Sequence, residues 1–243
     1  MEVYLNRIDG WDDAIISMFL SKRTLTRELE EDIRNEVALC TNHIPAYGPI
    51  GSFTCMTDRV QDWLTKLFKW APKHITMAKF IDLSFTVYGL HRGAQDDYDS
   101  HAKRMDNRII RSSTRLADFS NGETSEYYAD KIIPTDTALA FLGITTPDEI
   151  EYEGKIYVRS VNGYILKGME NNKDVKRGLY MLSIPSNFIF RINLAEHAHV
   201  HKERNAHSNA NPELKACIES EADQLEEASL GFINRDLLMA IKN

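Results

Sequence analysis

The sequence predicts an α+β fold in which a mixed or antiparallel sheet is combined with long helices. Apolar residues recur at helical spacing in residues 25–37, in residues 58–71 and from Pro212 onward, while β-branched and aromatic runs elsewhere are typical of strands. The chain shows no internal repeat. Its 243 residues, 43% of them hydrophobic, suffice for a large core. We therefore expect one α+β domain that spans residues 1–243.

The N-terminal part is predicted to run from a strand into helices. The opening MEVYLNRI alternates apolar and polar residues, and DGWDD supplies turn and N-cap chemistry before the apolar segment AIISMFL. Further on, an amphipathic helix is indicated by apolar residues that recur every four positions between charges, namely Leu25, Leu29, Ile33 and Val37. Residues 42–55 concentrate Pro and Gly and predict a loop, after which DRVQDWLTKLFKWA returns to helical spacing.

The central and C-terminal parts are predicted to alternate between strands and helices. KFIDLSFTVYGL is rich in β-branched and aromatic residues and predicts a strand, whereas DDYDSHAKRMDNRIIRSSTRLADF has the spacing and charge of a long helix. Between Thr145 and Asn171, EIEYEGKIYVRSV and NGYILKGM predict a hairpin. GLYMLSIP and FIFRINL predict further strands, and the part from Pro212 is predicted to be helical.

Charge and cysteine content argue against several classes of protein. The net charge of -7 disfavours binding to bulk nucleic acid, which requires clustered Lys and Arg. Cys40, Cys55 and Cys217 are too few and too scattered for a disulfide framework or a zinc knuckle, so we expect reduced thiols. The N-terminus lacks the basic and apolar regions of a signal peptide, and no apolar stretch has the length of a membrane span. These observations predict a cytoplasmic protein without a membrane partner.

Three arginines in the predicted central helix are the first candidates for chemistry. Arg108, Arg111 and Arg115 follow at steps of three and four, so on a helix they share one face. Two interpretations stay open: a solvated face neutralised by nearby acids, or a phosphate-binding site. Residues 120–128 then offer hydroxyls, backbone N–H groups and a Gly that can surround a phosphate, which favours the second interpretation.

The segment after these arginines resembles a motif of the flavin-dependent thymidylate synthases. Members of that family carry an Arg-His-Arg triplet followed by Ser-x-x-Glu-x-Ser-x-Arg-Tyr. This chain reproduces the second part without a gap at Ser120, Glu123, Ser125 and Tyr128. Tyr127 stands where the family has the late Arg.

The triplet itself is broken, and two registers stay open. In the ungapped register Arg115 takes the first Arg position, and Leu116-Ala117 replace His and Arg. If the end of the preceding helix is matched instead, Arg111 takes that position and Ser112-Ser113 replace the other two. A charge-assisted contact contributes about 1.5–3 kcal/mol, so several lost contacts are expected to weaken FAD and folate binding.

A second segment similar to the family lies near the C-terminus. Asn193 and Arg204 match the spacing between the Asn of a strand-to-helix turn and a later Arg. Ala195 replaces one arginine of the family, and His199 stands where the family has Asn. His199 keeps the ability to form a hydrogen bond with a ligand.

A third, shorter similarity precedes the predicted strand IDLSF. Thr76 matches the last residue of a His-x-Ser/Thr segment of the family, and Ser21 matches the family's first Ser. Both residues are also of a type that caps helix ends without binding a ligand. The three segments follow the family's order along the chain, with an insertion here around residues 22–60.

The resemblance implies FAD-dependent transfer of a one-carbon unit to C5 of a pyrimidine deoxynucleotide such as dUMP. Family members are homotetramers in which NADPH reduces FAD and methylenetetrahydrofolate donates the carbon. By this resemblance Arg204 is the catalytic cation, and the substrate-binding residues are Arg111, Arg115, Ser120, Glu123, Ser125 and Arg204. FAD is assigned by the same resemblance to Ser21, Thr76, Asn193 and His199.

Two alternatives stay open beside this function. The broken triplet is consistent with a divergent relative that binds a nucleotide without thymidylate synthase activity. The alternating His197, His199 and His201 would share one face of a strand and, with His207, could ligate zinc or iron. The Ala, Glu and Lys content of LAEHAHVHKER favours a helix instead, on which only His197 and His201 align. We therefore assign no metal ligand.

Overall fold

The structure, a computed structural model, describes residues 1–101, 108–113, 124–172, 175–176, 178–206 and 211–241. The chain divides into two compact units. The larger unit comprises residues 2–87, 96–110 and 188–243, and the smaller unit comprises Met1 with residues 88–95 and 111–187. The single domain expected from the sequence stays a prediction. No helix in the described ranges is long and apolar enough to cross a membrane.

The chain begins with a strand and a group of helices, as the sequence predicts. In chain order these are β1 (Glu2–Asp9), α1 (Trp11–Ser21), α2 (Arg27–Cys40), α3 (Asp58–Trp70) and α4 (Ile75–Ala78). The predicted loop connects α2 to α3 and contains a short 3-10 turn at Pro45–Tyr47. The apolar stripe of α2 is confirmed at its C-terminal half, where Ile33 and Val37 are buried.

The remaining elements complete two sheets and a C-terminal group of helices. They are β2 (Asp82–His91), α5 (Arg92–His101), β3 (Arg108–Arg111), α6 (Thr135–Phe141), β4 (Glu149–Tyr152), β5 (Lys155–Ser160), β6 (Gly163–Leu166), β7 (Pro185–Asn193), α7 (Leu194–Ala206), α8 (Pro212–Ala228) and α9 (Arg235–Ala240). The helical prediction for the part from Pro212 is confirmed by α8 and α9.

The start of α1 differs from the predicted N-cap. Gly10 precedes the helix with a φ of 84°, which is a left-handed conformation, and no side chain caps the first turn. A Cβ at this position would lie 2.0 Å from the carbonyl oxygen of Phe80. Glycine is therefore required here by both its backbone angle and the close approach of Phe80.

A four-stranded sheet forms the core of the larger unit, with the strand order β1-β2-β7-β3. Buried residues alternate along β2 and β7, and the rings of Phe85 and Phe190 stack with their centroids 5.3 Å apart. Helix α8 packs against β1, and α7 packs against α4, α8 and α9. The distal ends of β2 and β7, residues 88–91 and 185–187, belong to the smaller unit.

Two sequence predictions are wrong near this sheet. Residues 108–111 form β3 instead of continuing a long helix, because Ile109 and Ile110 favour extended backbone and the strand pairs with β7. Arg108 and Arg111 therefore do not share a helix face, and both registers of the triplet stay predictions. GLYMLSIP does not form a strand before Pro185, since residues 178–184 are turns and irregular backbone.

The smaller unit contains the predicted hairpin. Strands β4, β5 and β6 form an antiparallel three-stranded sheet. Tyr152 pairs with Lys155 across a two-residue turn, and both turn residues, Glu153 and Gly154, have positive φ angles. Two consecutive positive φ values are typical of the tight hairpin turn that matches the twist of its strands.

Candidate functional site

Helix α7 begins directly after Asn193, where β7 ends, and the predicted ligand-binding residues His199 and Arg204 lie on it. The Leu194 N–H donates to the carbonyl oxygen of Ile81 at 2.8 Å, which fixes the first residue of the helix. Asn193 Oδ1 accepts a hydrogen bond from the Glu196 N–H at 3.0 Å, so this side chain caps the helix. Asn193 makes no other polar contact in the described ranges, so its amide nitrogen stays available to a ligand.

The histidines of this segment lie on a helix, as its composition predicts. His197 and His201 are buried, whereas His199 is partly exposed. Within the part of the chain that the structure covers, no three His, Cys, Asp or Glu side chains are arranged to hold a metal ion. The metal alternative thus has no support in these residues, and His207 lies outside them.

A buried carboxylate on α8 organises the first half of α7. The side chains of Glu221 and His197 are completely buried, and His197 Nε2 lies 3.0 Å from Glu221 Oε2. The Tyr98 hydroxyl donates to the same oxygen at 3.2 Å, and Cys217 Sγ donates to Glu221 Oε1 at 3.4 Å. Three donors from three helices therefore converge on one carboxyl group, which we name the Glu221 cluster.

Burial dominates the protonation chemistry of the Glu221 cluster. It raises the pKa of the Tyr98 hydroxyl and of the Cys217 thiol well above their ordinary values, and the adjacent Glu221 raises both further. Both groups therefore stay protonated and act as donors. His197 Nδ1 is buried and has no hydrogen-bond partner among the described residues, so Nε2 is the ring nitrogen that donates to Glu221.

The second half of α7 carries a buried cation, whereas the first half contacts a buried carboxylate. The Arg204 side chain is 6% exposed, and its Nη2 donates to the carbonyl oxygen of Asp97 at 2.6 Å. Its Nε is buried without a hydrogen-bond partner, and no carboxylate of the described residues lies within ion-pair distance of the guanidinium. A buried charge without a counter-ion is costly, so this arrangement is suited to receive an anionic ligand.

His201 lies between these two regions of α7. Its Nε2 is 3.7 Å from Glu219 Oε1, and the guanidinium of Arg235 donates to the other Glu219 oxygen at 2.9 Å. Burial is the largest cause of a lowered pKa of His201, and with the nearby His197 and Arg235, against the opposing effect of Glu219, it brings that pKa from 6.5 to about 4. His201 is therefore neutral at physiological pH.

The four residues that the resemblance assigns to FAD all lie in the larger unit. Helix α1, which ends at Ser21, packs against α4, which contains Thr76, and α4 packs against α7. Ser21 and Thr76 are exposed, and the Ser21 hydroxyl donates to the Met18 carbonyl oxygen at 2.8 Å. Helices α1, α4 and α7 thus pack against one another in sequence, and three of the four predicted cofactor residues lie on them. The Ser21 hydroxyl also bonds to the backbone at the end of its own helix.

Apart from Arg204, the predicted substrate residues divide between the smaller unit and the undescribed part of the chain. Arg111 Nη2 donates to the Gln95 carbonyl oxygen at 3.1 Å. Ser125 is buried, and its backbone N–H donates to the Ser183 carbonyl oxygen at 2.8 Å. The other three, Arg115, Ser120 and Glu123, lie outside the described residues. The roles of all five residues stay predictions.

Sequence reasoning did not identify the Glu221 cluster, although one signal was present. Along α8 the buried positions follow helical spacing, and Glu221 occupies one of them between Ile218 and Leu225. A carboxylate within an apolar stripe requires buried donors, which identifies a polar cluster. The partners Tyr98 and His197 come from distant segments, so the sequence alone does not identify them.

The fold defines a class of protein, the flavin-dependent thymidylate synthase (ThyX) fold. The sequence matches no protein-family model and no curated protein. Among solved structures, a ThyX from Helicobacter pylori with FAD and dUMP is 14% identical, with 98% of this chain and 100% of that chain covered at a TM-score of 0.56. This similarity over the full length, at low identity, shows the fold alone.

Two further solved structures agree with that class. Another structure of the Helicobacter pylori ThyX, complexed with FAD and dUMP, is 11% identical, covers 100% of both chains and has a TM-score of 0.55. The UMP/dUMP methylase PolB from Streptomyces cacaoi, bound with 5-Br dUMP, is 11% identical, with 99% of this chain and 95% of that chain covered at a TM-score of 0.56. The α+β fold class predicted from the sequence is confirmed.

Proposed function

We propose that this chain binds a pyrimidine nucleotide and, with FAD, transfers a one-carbon unit to C5 of its base. The observation that carries the proposal is Arg204, a buried guanidinium with one carbonyl acceptor and no carboxylate partner among the described residues, in a chain with the ThyX fold. The structural neighbours are bound to dUMP or 5-Br dUMP. An anionic nucleotide would supply the negative charge that Arg204 lacks.

The proposed role of Arg204 follows from the charge that develops on a uracil ring during substitution at C5. A fixed cation in a site of low dielectric stabilises such charge more strongly than a cation in water. The Nη2 contact to the Asp97 carbonyl orients the guanidinium before the ligand arrives. We further propose that Arg111, Arg115, Ser120, Glu123 and Ser125 hold the rest of the nucleotide.

The cofactor residues fit a polar ligand such as FAD. The Asn193 amide nitrogen is available, His199 is partly exposed with no polar contact among the described residues, and Ser21 and Thr76 are exposed residues. We propose that these four residues hold FAD, which would supply the hydride chemistry when bound. Asn193 and His199 would orient the ring system, and the two hydroxyls would contact its phosphates.

A divergent nucleotide-binding relative without methylation activity is the second candidate. One observation favours it: Arg111, one possible head of the broken triplet, already donates to the Gln95 backbone. A guanidinium engaged by the fold has fewer donors left for FAD phosphates or folate. In this candidate the protein retains dUMP binding but loses the flavin.

The test is a visible absorption spectrum of the purified protein with added FAD, followed by a dUMP titration by calorimetry. We expect bound flavin and a flavin spectrum that dUMP perturbs. Arg204→Ala should weaken dUMP binding by at least tenfold, since a charge-assisted hydrogen bond contributes about 1.5–3 kcal/mol. Arg59→Ala is the matched control, because Arg59 is an exposed arginine that pairs with Asp32 and Glu36.

The outcomes separate the two candidates. Binding of dUMP without FAD would support the divergent relative, whereas a wild-type protein that binds neither would contradict both. Equal weakening by Arg204→Ala and Arg59→Ala would remove Arg204 from the site. The remaining expectations, NADPH as reductant, methylenetetrahydrofolate as carbon donor, a homotetramer and a cytoplasmic location, are proposals of the same resemblance.

A further inference from the structure

Two cysteines of the larger unit lie next to each other although 14 residues separate them in sequence. Cys40 is the last residue of α2 and is fully buried, and Cys55 lies in the exposed loop before α3. The Cys40 carbonyl oxygen accepts from the Thr54 N–H at 2.8 Å and from the Cys55 N–H at 3.5 Å. Backbone contacts this short bring the two Cα atoms near the range of about 4.4–6.8 Å that a disulfide requires.

The loop between these cysteines is already held in a closed conformation. Thr41 and Phe53 form an antiparallel bridge, and the Asn42 N–H donates to the Ser52 carbonyl oxygen at 2.7 Å. The Asn42 side-chain amide donates to the carbonyl oxygens of Gly48 and Pro49 at 3.0 and 3.1 Å. Closing a covalent ring here therefore requires little further ordering of the chain.

The two thiols differ in exposure and interact with each other. Cys55 Sγ lies 3.8 Å from the Leu39 carbonyl oxygen, to which it donates, and its side chain is reachable by solvent. Burial raises the pKa of the Cys40 thiol, the backbone of Thr57 lowers it, and the neighbouring Cys55 thiol raises it. Cys40 is thus shielded from solutes, while its backbone is in direct contact with that of Cys55. The third cysteine, Cys217, is buried in the Glu221 cluster.

We propose that Cys40 and Cys55 are a reversible redox-modification site that hydroperoxides convert to an intramolecular disulfide. The Cys55 sulfur attacks a peroxide oxygen, the O–O bond breaks, and Cys55 becomes a sulfenic acid while one water leaves. The Cys40 sulfur then attacks the Cys55 sulfur and displaces the hydroxyl group, which leaves as a second water with the Cys40 proton. Two thiols lose two electrons and two protons, and hydrogen peroxide is reduced to two waters.

The disulfide would fasten the end of the loop to the C-terminus of α2 and does not depend on the proposed nucleotide function. Exposed Cys55 meets the oxidant and buried Cys40 resolves the sulfenic acid, so the pair protects Cys55 from further oxidation. A dithiol reductant reverses the reaction by thiol exchange.

The test treats the folded, reduced full chain with hydrogen peroxide, removes the oxidant with catalase, and alkylates the denatured protein with N-ethylmaleimide. By intact mass, the number of alkylated thiols should fall from three to one. Peptide mapping should find residues 40 and 55 joined and Cys217 alkylated. Dithiothreitol added before alkylation should restore all three thiols.

Two variants make the outcome decisive. Cys55→Ser changes only an exposed position and should keep both remaining thiols reduced under the same treatment. Cys40→Ser should leave Cys55 as a sulfenic acid that dimedone traps, followed by over-oxidation. Wild-type protein in which Cys55 over-oxidises or joins two chains, while Cys40 remains alkylatable, would overturn the proposal.

Discussion

Each half of α7 lies at a buried charged group, and the two groups differ in how many hydrogen-bond partners the fold gives them. Near its N-terminal half, the Glu221 carboxylate accepts from three donors, His197, Tyr98 and Cys217. Near its C-terminal half, the Arg204 guanidinium has one carbonyl acceptor and a buried Nε without a partner among the described residues. Both side chains are removed from water to a similar degree, so burial alone does not distinguish them.

The difference indicates which half is structural and which is functional. A buried group whose hydrogen bonds are satisfied by the fold stabilises one packing of its neighbours. A buried cation that the fold leaves partly unsatisfied costs stability, and such a cost is typical of a site that a ligand completes. The comparison assigns the Glu221 cluster to folding and Arg204 to binding.

The largest expected effect is on the structural half. Glu221→Ala removes the acceptor of three buried donors and should lower the free energy of unfolding by about 3–5 kcal/mol. The measurement is urea denaturation followed by circular dichroism. Glu226→Ala is the matched control on the same helix, because the Glu226 carboxylate is partly exposed and, among the described residues, forms a single ion pair with the Arg235 guanidinium at 3.6 Å. For this control we expect the free energy of unfolding to change by about 0–1 kcal/mol. Equal effects of the two variants would show that the Glu221 cluster contributes no more to the free energy of unfolding than an exposed ion pair.

The next effect depends on pH and concerns His201, between the two halves. Its pKa is about 4 in the fold and 6.5 in the unfolded chain, so the unfolded state takes up the proton first as pH falls. The stability that neutral His201 contributes is complete above pH 6.5 and is lost progressively down to about pH 4. Urea midpoints measured across this window should fall more steeply for the wild type than for His201→Gln. Parallel curves would contradict the lowered pKa.

The smallest expected effect has the opposite sign and lies in the functional half. Arg204→Met keeps much of the side-chain volume and removes the unsatisfied charge, so the ligand-free protein should gain about 1 kcal/mol of stability. The same variant should bind dUMP at least tenfold more weakly. Thermal unfolding with and without dUMP measures both quantities, and Arg59→Met controls for loss of a surface charge. A loss of ligand-free stability would place Arg204 with Glu221 among the structural residues.

Local patterns predicted most of the fold. The alternation in MEVYLNRI, the stripe through Ile33 and Val37, and the β-branched run before Tyr88 correspond to β1, α2 and β2. The prediction was wrong where charge was taken as a sign of helix: Arg108–Arg111 became an edge strand, since pairing with β7 and two isoleucines outweighed the charged spacing.

The candidate site was predictable only where it depends on spacing along one element. Asn193 caps α7, and His199 and Arg204 lie on it, so the sequence could propose the three together. The partners that set their chemistry are long-range, such as the Asp97 carbonyl and the Glu221 carboxylate. Those contacts arise only when distant helices pack, and no local pattern encodes them.

The anchor of Arg204 has a consequence for how this protein tolerates mutation. The acceptor at Asp97 is a backbone carbonyl, which every amino acid carries, while the Asp97 side chain itself is exposed. A change of residue at codon 97 therefore leaves the acceptor of the guanidinium in place, whereas any change at codon 204 removes the guanidinium itself. In a deep mutational scan of dUMP binding, the two ends of this single hydrogen bond would differ, with the stronger loss at position 204.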